Sequence, residues 1–151
     1  MFELDLSNDI NAEVLLVEDN PHDAQLFLLA LKKKMLHSKV FVVKDGAEAV
    51  EFIFARGQYE HRRNSSDLKV IFLDLKLPKL NGFEVLERVR ADKNFTGLPV
   101  VVHSSSAVEA DISRAFDLGA NSYVVKPIDF KEHAKTMTDA VEYWVNINKT
   151  H

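Results

Sequence analysis

Four short apolar runs constrain this chain more than any other feature. They are Val14-Leu15-Leu16-Val17, Val70-Ile71-Phe72-Leu73, Val100-Val101-Val102 and Tyr123-Val124-Val125, and each is closed by polar residues: Glu18-Asp19, Asp74, His103-Ser104 and Lys126-Pro127. An apolar run of this length reads as a buried strand, and the residue after it lies at the strand's C-terminal tip. If the strands are parallel, their tips share one sheet edge. That edge then gathers the carboxylates of Glu18, Asp19 and Asp74, the hydroxyl of Ser104 and the ammonium of Lys126. Hard oxygen donors beside an ammonium and a hydroxyl suit a hard metal ion and a phosphoryl group.

Helical patterns alternate with the strands. Over residues 21–36, Ala24, Phe27, Leu28, Leu31 and Met35 share a face (α1), with Asn20 as N-cap and Pro21 as first helical residue. A further strand spans residues 39–43 (β2). A helix over about 46–56 follows the Asp45-Gly46 turn and turns Ala49, Val50, Phe52 and Ile53 inward (α2). Asn81-Gly82 opens a helix with Phe83, Leu86 and Val89 inward (α3). Ile112, Ala115, Phe116 and Leu118 mark the next, with Gly119 as its C-terminal cap (α4), and the last helix runs from about 129 to 147 (α5). With the four opening runs numbered β1, β3, β4 and β5, the order is strictly β-α. The expectation is an α/β, doubly wound, five-stranded parallel sheet in the order 2-1-3-4-5. It is a flavodoxin-like three-layer fold with helices on both faces. In that order the winding reverses between β1 and β3, where a crevice opens and where Glu18, Asp19 and Asp74 fall. The expected division is an N-terminal segment 1–12, one domain 13–147 and a tail 148–151.

Composition narrows the function classes. With 151 residues the chain is long enough for one domain with a substantial core. A net charge of −4 argues against nonspecific binding of nucleic acid or an anionic membrane surface. The absence of cysteine excludes disulfides, thiolate metal sites and cysteine catalysis, and fits a cytoplasmic location. No apolar run approaches the length of a membrane span, and residues 1–11 lack the pattern of a signal peptide.

At the strand tips, three negative charges face one positive charge, so a divalent cation balances the remainder. Magnesium suits the site because it takes a few carboxylates together with waters and a phosphate oxygen. One carboxylate can then attack phosphorus, forming an acyl phosphate. Taken singly, each tip residue has a plainer reading: Asp19 as a helix cap, Asp74 as an isolated acid, Lys126-Pro127 as a strand end. Their joint order and spacing make coincidence improbable.

These residues resemble a known family. Leu16-Val17-Glu18-Asp19-Asn20, Leu73-Asp74-Leu75-Lys76-Leu77-Pro78 with Asn81-Gly82, Leu98-Pro99-Val100, Gly119-Ala120 and Tyr123-Val124-Val125-Lys126-Pro127 are similar to the receiver domains of two-component response regulators, the CheY type. The resemblance covers about Glu13 to Trp144. It implies that Asp74 accepts a phosphoryl group from a histidine kinase. It implies that Asp19 binds Mg²⁺ directly, Glu18 binds it through water and the Lys76 backbone carbonyl is a further ligand. Lys126 then clamps the phosphoryl group across a cis Lys126–Pro127 bond. The family's spacing from Lys126 selects Ser104 as the switch hydroxyl, with Ser105 and Ser106 as competitors, one of which can cap α4. Tyr123 matches the aromatic whose rotamer follows that hydroxyl; ordinary packing at a sheet edge is its other reading. The resemblance implies a signalling protein that catalyses only its own phosphorylation and dephosphorylation. Gly57-Gln58-Tyr59-Glu60 and Tyr143-Trp144 resemble the small regulators paired with bacterial phytochromes, which puts phytochromes among the candidate kinases.

Other readings compete. A phosphatase with an aspartyl nucleophile would want a second Asp where Lys76 stands. A flavodoxin-like cofactor site would want Gly, Ser and Thr where Glu18-Asp19-Asn20-Pro21 stand. A docking module without phosphorylation would leave the chemical positions unused. In α5, Phe130, Ala134, Met137, Val141 and Trp144 form one stripe, and Ala140, Tyr143 and Ile147 a second. A broad core face would bury both. The alternative is a homodimer through β5 and α5, anchored by Tyr143, Trp144 and Ile147. Residues 57–67 read as a solvated connector unless Arg62 and Arg63 touch a partner. His103 reads as a neutral, hydrogen-bonded strand residue, and His22, His37, His61, His133 and His151 as surface residues.

Overall fold

The computed structural model describes residues 12–62 and 67–149. The strands are β1 (Val14–Val17), β2 (Val40–Val43), β3 (Val70–Leu73), β4 (Val100–Ser104) and β5 (Ser122–Val125). The α-helices are α1 (Pro21–Lys32), α2 (Gly46–Phe54), α3 (Gly82–Ala91), α4 (Glu109–Asp117) and α5 (Phe130–Glu142). All strand pairs are parallel and the sheet order is β2-β1-β3-β4-β5. The expected fold and strand order are therefore those observed.

Strand alternation divides the core. Leu15, Val17, Ile71, Leu73, Val100 and Val102 face α2 and α3, meeting Phe52, Ile53, Leu86 and Val89. Val14, Leu16, Val70, Phe72 and Val101 face the other layer, meeting Phe27, Leu31, Met137 and Val141. Side chains that alternate across a sheet covered on both faces are all buried, which is why these strands are continuously apolar.

Local chemistry sets the helix starts. The Asn20 side chain accepts from the His22 and Asp23 amides, with Pro21 opening α1. Asn81 and Glu84 form a reciprocal capping box at α3, and Asp129 caps α5. Gly119 takes φ +105° after α4, a left-handed turn that lets the Ala120 amide return to the Ala115 carbonyl at 3.0 Å.

Several expectations differ in detail. α1 ends at Lys32, four residues early; Met35 turns outward with φ +59° and 69% exposure, and Leu36 closes the core in its place. In α4 only Ala115 is fully buried, and Phe116 is 48% exposed, because that helix lies over the edge of the sheet. The connector after α2 is not simply solvated. Residues Gly57–Arg62 coil into 3-10 turns, Tyr59 packs edge-on against Phe41 and Phe52, and the buried Arg62 guanidinium covers the Phe52 ring at 3.7 Å. Arg62 also donates to the Phe52 carbonyl in the last turn of α2, where carbonyls lack helical partners. Arg63 lies outside the described residues, as does the expected N-terminal segment apart from Ala12. No described peptide bond is cis, so Lys126–Pro127 is trans, the lower-energy form of an X–Pro bond. The last helix changes to a π-helical turn at Tyr143–Ile147.

Candidate functional site

The sheet register carries the tips to one level. Val17 pairs with Val43 and Leu73, Leu73 with Val102, and Ser104 with Val125. The ladder continues one residue further: Glu18 N–H donates to Val43 O at 3.0 Å, Asp74 N–H to Val17 O at 3.2 Å and Lys126 N–H to Ser104 O at 2.7 Å. The backbone therefore holds Glu18, Asp74, Ser104 and Lys126 at one edge before any side-chain contact is counted.

The side chains converge on Lys126. Its Nζ donates to Glu18 Oε1 at 2.6 Å, to Asp74 Oδ2 at 2.9 Å and to Asp23 Oδ2 at 3.3 Å. Asp74 Oδ1 accepts from the Leu75 amide at 2.7 Å, so both of its oxygens are oriented. Glu18 Oε2 accepts from the Asn20 amide at 3.2 Å. Glu18 and Asp74 are buried, while Asp19 is exposed at the rim. Burial pushes the Glu18 carboxyl up to about 7, with Asp74 adding to the rise and Lys126 opposing it. Burial lowers the Lys126 ammonium, but its bonds to Glu18 and Asp74 outweigh this and hold it above its ordinary value.

Glu18, Asp19 and Asp74 each offer a carboxylate oxygen, all within 4.8 Å of one another. With Asp23 the edge carries four acidic groups against one ammonium, and its donor set is entirely hard oxygen. A divalent cation fits this chemistry. Asp23 was not among the residues read from the sequence. It stands in the first turn of α1, where an acid is generic to helix starts. The available signal was the capped Asn20-Pro21 start, which places residue 23 one turn beyond the β1 tip.

The three serines separate. Ser104 is fully buried at the end of β4, and its Oγ accepts from the Ser106 amide at 3.1 Å. Ser105 is exposed. The Ser106 hydroxyl donates to Asp111 Oδ2 at 2.6 Å and accepts from the Val108 amide at 3.3 Å, so it serves the turn before α4. Tyr123 is half-buried, and its hydroxyl donates to the Ser106 carbonyl at 2.9 Å. The Lys76 side chain is exposed.

Two histidines differ from expectation. His103 is buried, and no described residue meets either ring nitrogen; its neighbours are Phe27 at 5.7 Å and His133 at 5.5 Å between ring centroids. It is neutral as expected, but among the described residues neither ring nitrogen has the expected hydrogen-bond partner, because it faces the apolar layer under α1 and α5. Burial lowers it to about 3, and Lys126 and His133 add to the shift. His133 is buried rather than on the surface, since α5 turns that position toward β4, and burial lowers it too. His37 is half-buried, and His151 lies outside the described residues. At the end of α5, Tyr143 and Ile147 are exposed, whereas Trp144 packs partly on the core and edge-on against Tyr143 at 5.0 Å.

A doubly wound sheet with an acidic, lysine-bridged switch-point edge defines a class of phosphoryl and metal sites. The comparisons make the class specific: residues 14–138 match the response regulator receiver domain, and the chain belongs to that family. It is 33% identical to the response regulator Rcp1 of Synechocystis over 87% of this chain and 88% of that protein. It is 30% identical to the probable methanogenesis regulatory protein FilR2 of Methanothrix harundinacea over 99% of this chain and 96% of that one. Among solved structures, phosphorylated RcpA, a cyanobacterial phytochrome response regulator, superposes with a TM-score of 0.82 at 34% identity, covering 91% of this chain and 96% of RcpA. Manganese-bound Rcp1 superposes at 0.81 with 31% identity, over 91% and 97%. Receiver domains bind a divalent metal and are phosphorylated by histidine kinases, and among the described residues no helix is long and apolar enough to cross a membrane.

Proposed function

We propose that Asp74 is the phosphoacceptor of this response regulator and that a sensor histidine kinase in the cytoplasm is its donor. One Asp74 carboxylate oxygen attacks phosphorus as the P–N bond of the kinase phosphohistidine breaks. The imidazole nitrogen leaves with the bonding pair and takes up a proton, and the product is an acyl phosphate. The contact that supports this most directly is the bridge from Lys126 to both Glu18 and Asp74, which places an ammonium where phosphoryl charge would develop. Asp19, Asp74 and the Lys76 carbonyl would hold Mg²⁺, with Glu18 acting through water, and the ion would offset charge on the phosphoryl oxygens.

Ser104 serves as the switch hydroxyl and Tyr123 as the aromatic that follows it, shifting a pre-existing equilibrium of the surface built from α4, β5 and α5. The likeness to RcpA supports a phytochrome as the kinase. The exposed Tyr143 and Ile147, with the partly packed Trp144 beside them, support a homodimer through β5 and α5. Sedimentation of the protein and its phosphorylated form at high concentration tests this part, and a monomer in both states removes it. Phosphotransfer from the source organism's histidine kinases, phytochromes included, tests the whole. Transfer is expected to the wild type and to Lys76→Ala but not to Asp74→Asn, and stable labelling of Asp74→Asn refutes the assignment.

A further inference from the structure

Three bonds from different elements converge on Ser106. Its amide donates to the Ser104 hydroxyl at 3.1 Å, its carbonyl accepts from the Tyr123 hydroxyl at 2.9 Å, and its own hydroxyl donates to Asp111 Oδ2 at 2.6 Å. Asp111 stands in the first turn of α4, and that helix has a weak hold on the rest of the protein. Its N-cap is Val108, which has no side chain able to cap, and Ala115 is its one fully buried residue. The Ser106 hydroxyl supplies what Val108 lacks, accepting the Val108 amide at 3.3 Å while holding the acid one turn on. Ser106 and Asp111 also line an open groove of about 370 Å³ together with Lys76 and Arg114, so water can compete for their bond.

We propose that Ser106 is a positioning residue: its hydroxyl, by holding Asp111, fixes the Ser106 carbonyl that receives Tyr123 and ties α4 to the Ser104 tip. The inference rests on the reading of Ser104 and Tyr123 as switch residues. Breaking the Ser106–Asp111 bond would free the turn before α4, and the carbonyl would then drift from Tyr123 although no atom of the Tyr123 bond had been removed.

The test uses the full chain, unphosphorylated, with fluorinated tyrosine. The Tyr123 ¹⁹F signal is assigned with Tyr123→Phe, and its ratio of solvent-exposed to inward populations is measured. Ser106→Ala and Asp111→Ala are each expected to raise that ratio roughly two- to tenfold, the weight of one hydrogen bond. The double variant should not exceed Ser106→Ala, because the bond that Asp111→Ala removes is already lost there, together with the acceptor of the Val108 amide. Ser106→Thr, which keeps the hydroxyl, should restore the wild-type ratio. Alanine retains the Ser106 carbonyl, so an unmoved Tyr123 signal in Ser106→Ala overturns the proposal, as do additive effects in the double variant. If Ser106→Ala does not fold, Asp111→Ala and Ser106→Thr decide the question by the same ratio. No phosphoryl group is needed, so failure of Asp74 to accept one would count against the function proposed above and leave this result intact.

Discussion

Lys126 holds Glu18 more closely than it holds Asp74: its ammonium nitrogen lies 2.6 Å from Glu18 Oε1 and 2.9 Å from Asp74 Oδ2. The lysine is thus an internal counter-ion for an acidic edge that exceeds it in charge. A divalent cation entering that edge meets both the attraction of the carboxylates and the repulsion of the ammonium.

This balance predicts metal-linked stability. Mg²⁺ or Mn²⁺ should raise the unfolding temperature, by an amount corresponding to about 2.7 kcal/mol when the ion stands a hundredfold above its Kd. Asp19→Ala should remove most of that shift while changing stability in chelator little, because Asp19 is exposed at the rim and Glu18 and Asp74 are oriented by Asn20, Leu75 and Lys126 instead. Thermal melts with EDTA and with each ion check this, and an Asp19→Ala shift equal to that of the wild type contradicts the assignment of the rim ligand.

Removing the internal counter-ion should have the opposite signature. Lys126→Met leaves Glu18 and Asp74 facing each other without an ammonium, at a cost of about 3–5 kcal/mol in chelator. The same variant loses the charge that repels a cation, so Mg²⁺ should stabilise it more than it stabilises the wild type. Calorimetric titration should show several-fold tighter Mg²⁺ binding. Equal or weaker binding would mean that Lys126 does not compete for this edge.

Gly82 gives a steric test of the same site. A Cβ at this position would stand 2.2 Å from the Asp74 carbonyl and 2.7 Å from the Leu75 Cα, and both are backbone atoms that cannot swing away. Gly82→Ala should therefore displace the β3 tip, costing about 1–3 kcal/mol and slowing phosphoryl acceptance at Asp74. Gly119→Ala is the contrast. A Cβ there would crowd the Arg90 side chain, which hydrogen-bonds Gly119, Phe95 and Asn121, and would be strained by the φ of +105°; the site is far from the strand tips, so the change should lower stability without altering acceptance. Acceptance rates and melting temperatures of the two variants, measured together, separate the effects.

The strand tips were legible in the sequence for a physical reason. A parallel strand buried on both faces has polar residues only where it ends, so Glu18 and Asp74 stood out; β5, expected to be buried, is a half-buried edge strand with Val125 exposed, and Lys126 was marked only by the apolar run before it. Asp23 was hidden because an acid in a first helical turn has a generic role, and its bond to Lys126 depends on where α1 crosses β1. His133 was misread because helical periodicity gives a face but not which neighbour that face meets. Met35 failed for a related reason: the stripe continues past Lys32, but the chain does not, and Leu36 reaches the core from the turn instead. The different burial and partners of Ser104, Ser105 and Ser106 were not legible, since three adjacent hydroxyls differ only in which way the chain turns after β4.

His103 supplies a pH signature. Its ordinary value near 6.5 is lowered by burial to about 3 in the folded protein, so the unfolded chain binds the extra proton between those limits. Stability from this residue is complete above about pH 6.5 and is lost as pH falls toward 3. Glu18 acts in the opposite sense: raised to about 7, it favours the folded state below its ordinary value of 4.5 and loses that contribution as pH rises through 7. Comparing the wild type with His103→Leu cancels the Glu18 contribution and isolates the histidine. Between pH 7 and 4.5 the wild type should lose on the order of 2–3 kcal/mol more than His103→Leu. For a chain of this size that is about 4–12 °C of unfolding temperature. Chemical denaturation across the range, in chelator so that metal binding does not add its own pH dependence, checks the slope. Parallel curves for the two proteins would show that His103 takes up its proton while folded and that the layer beneath Lys126 admits charge.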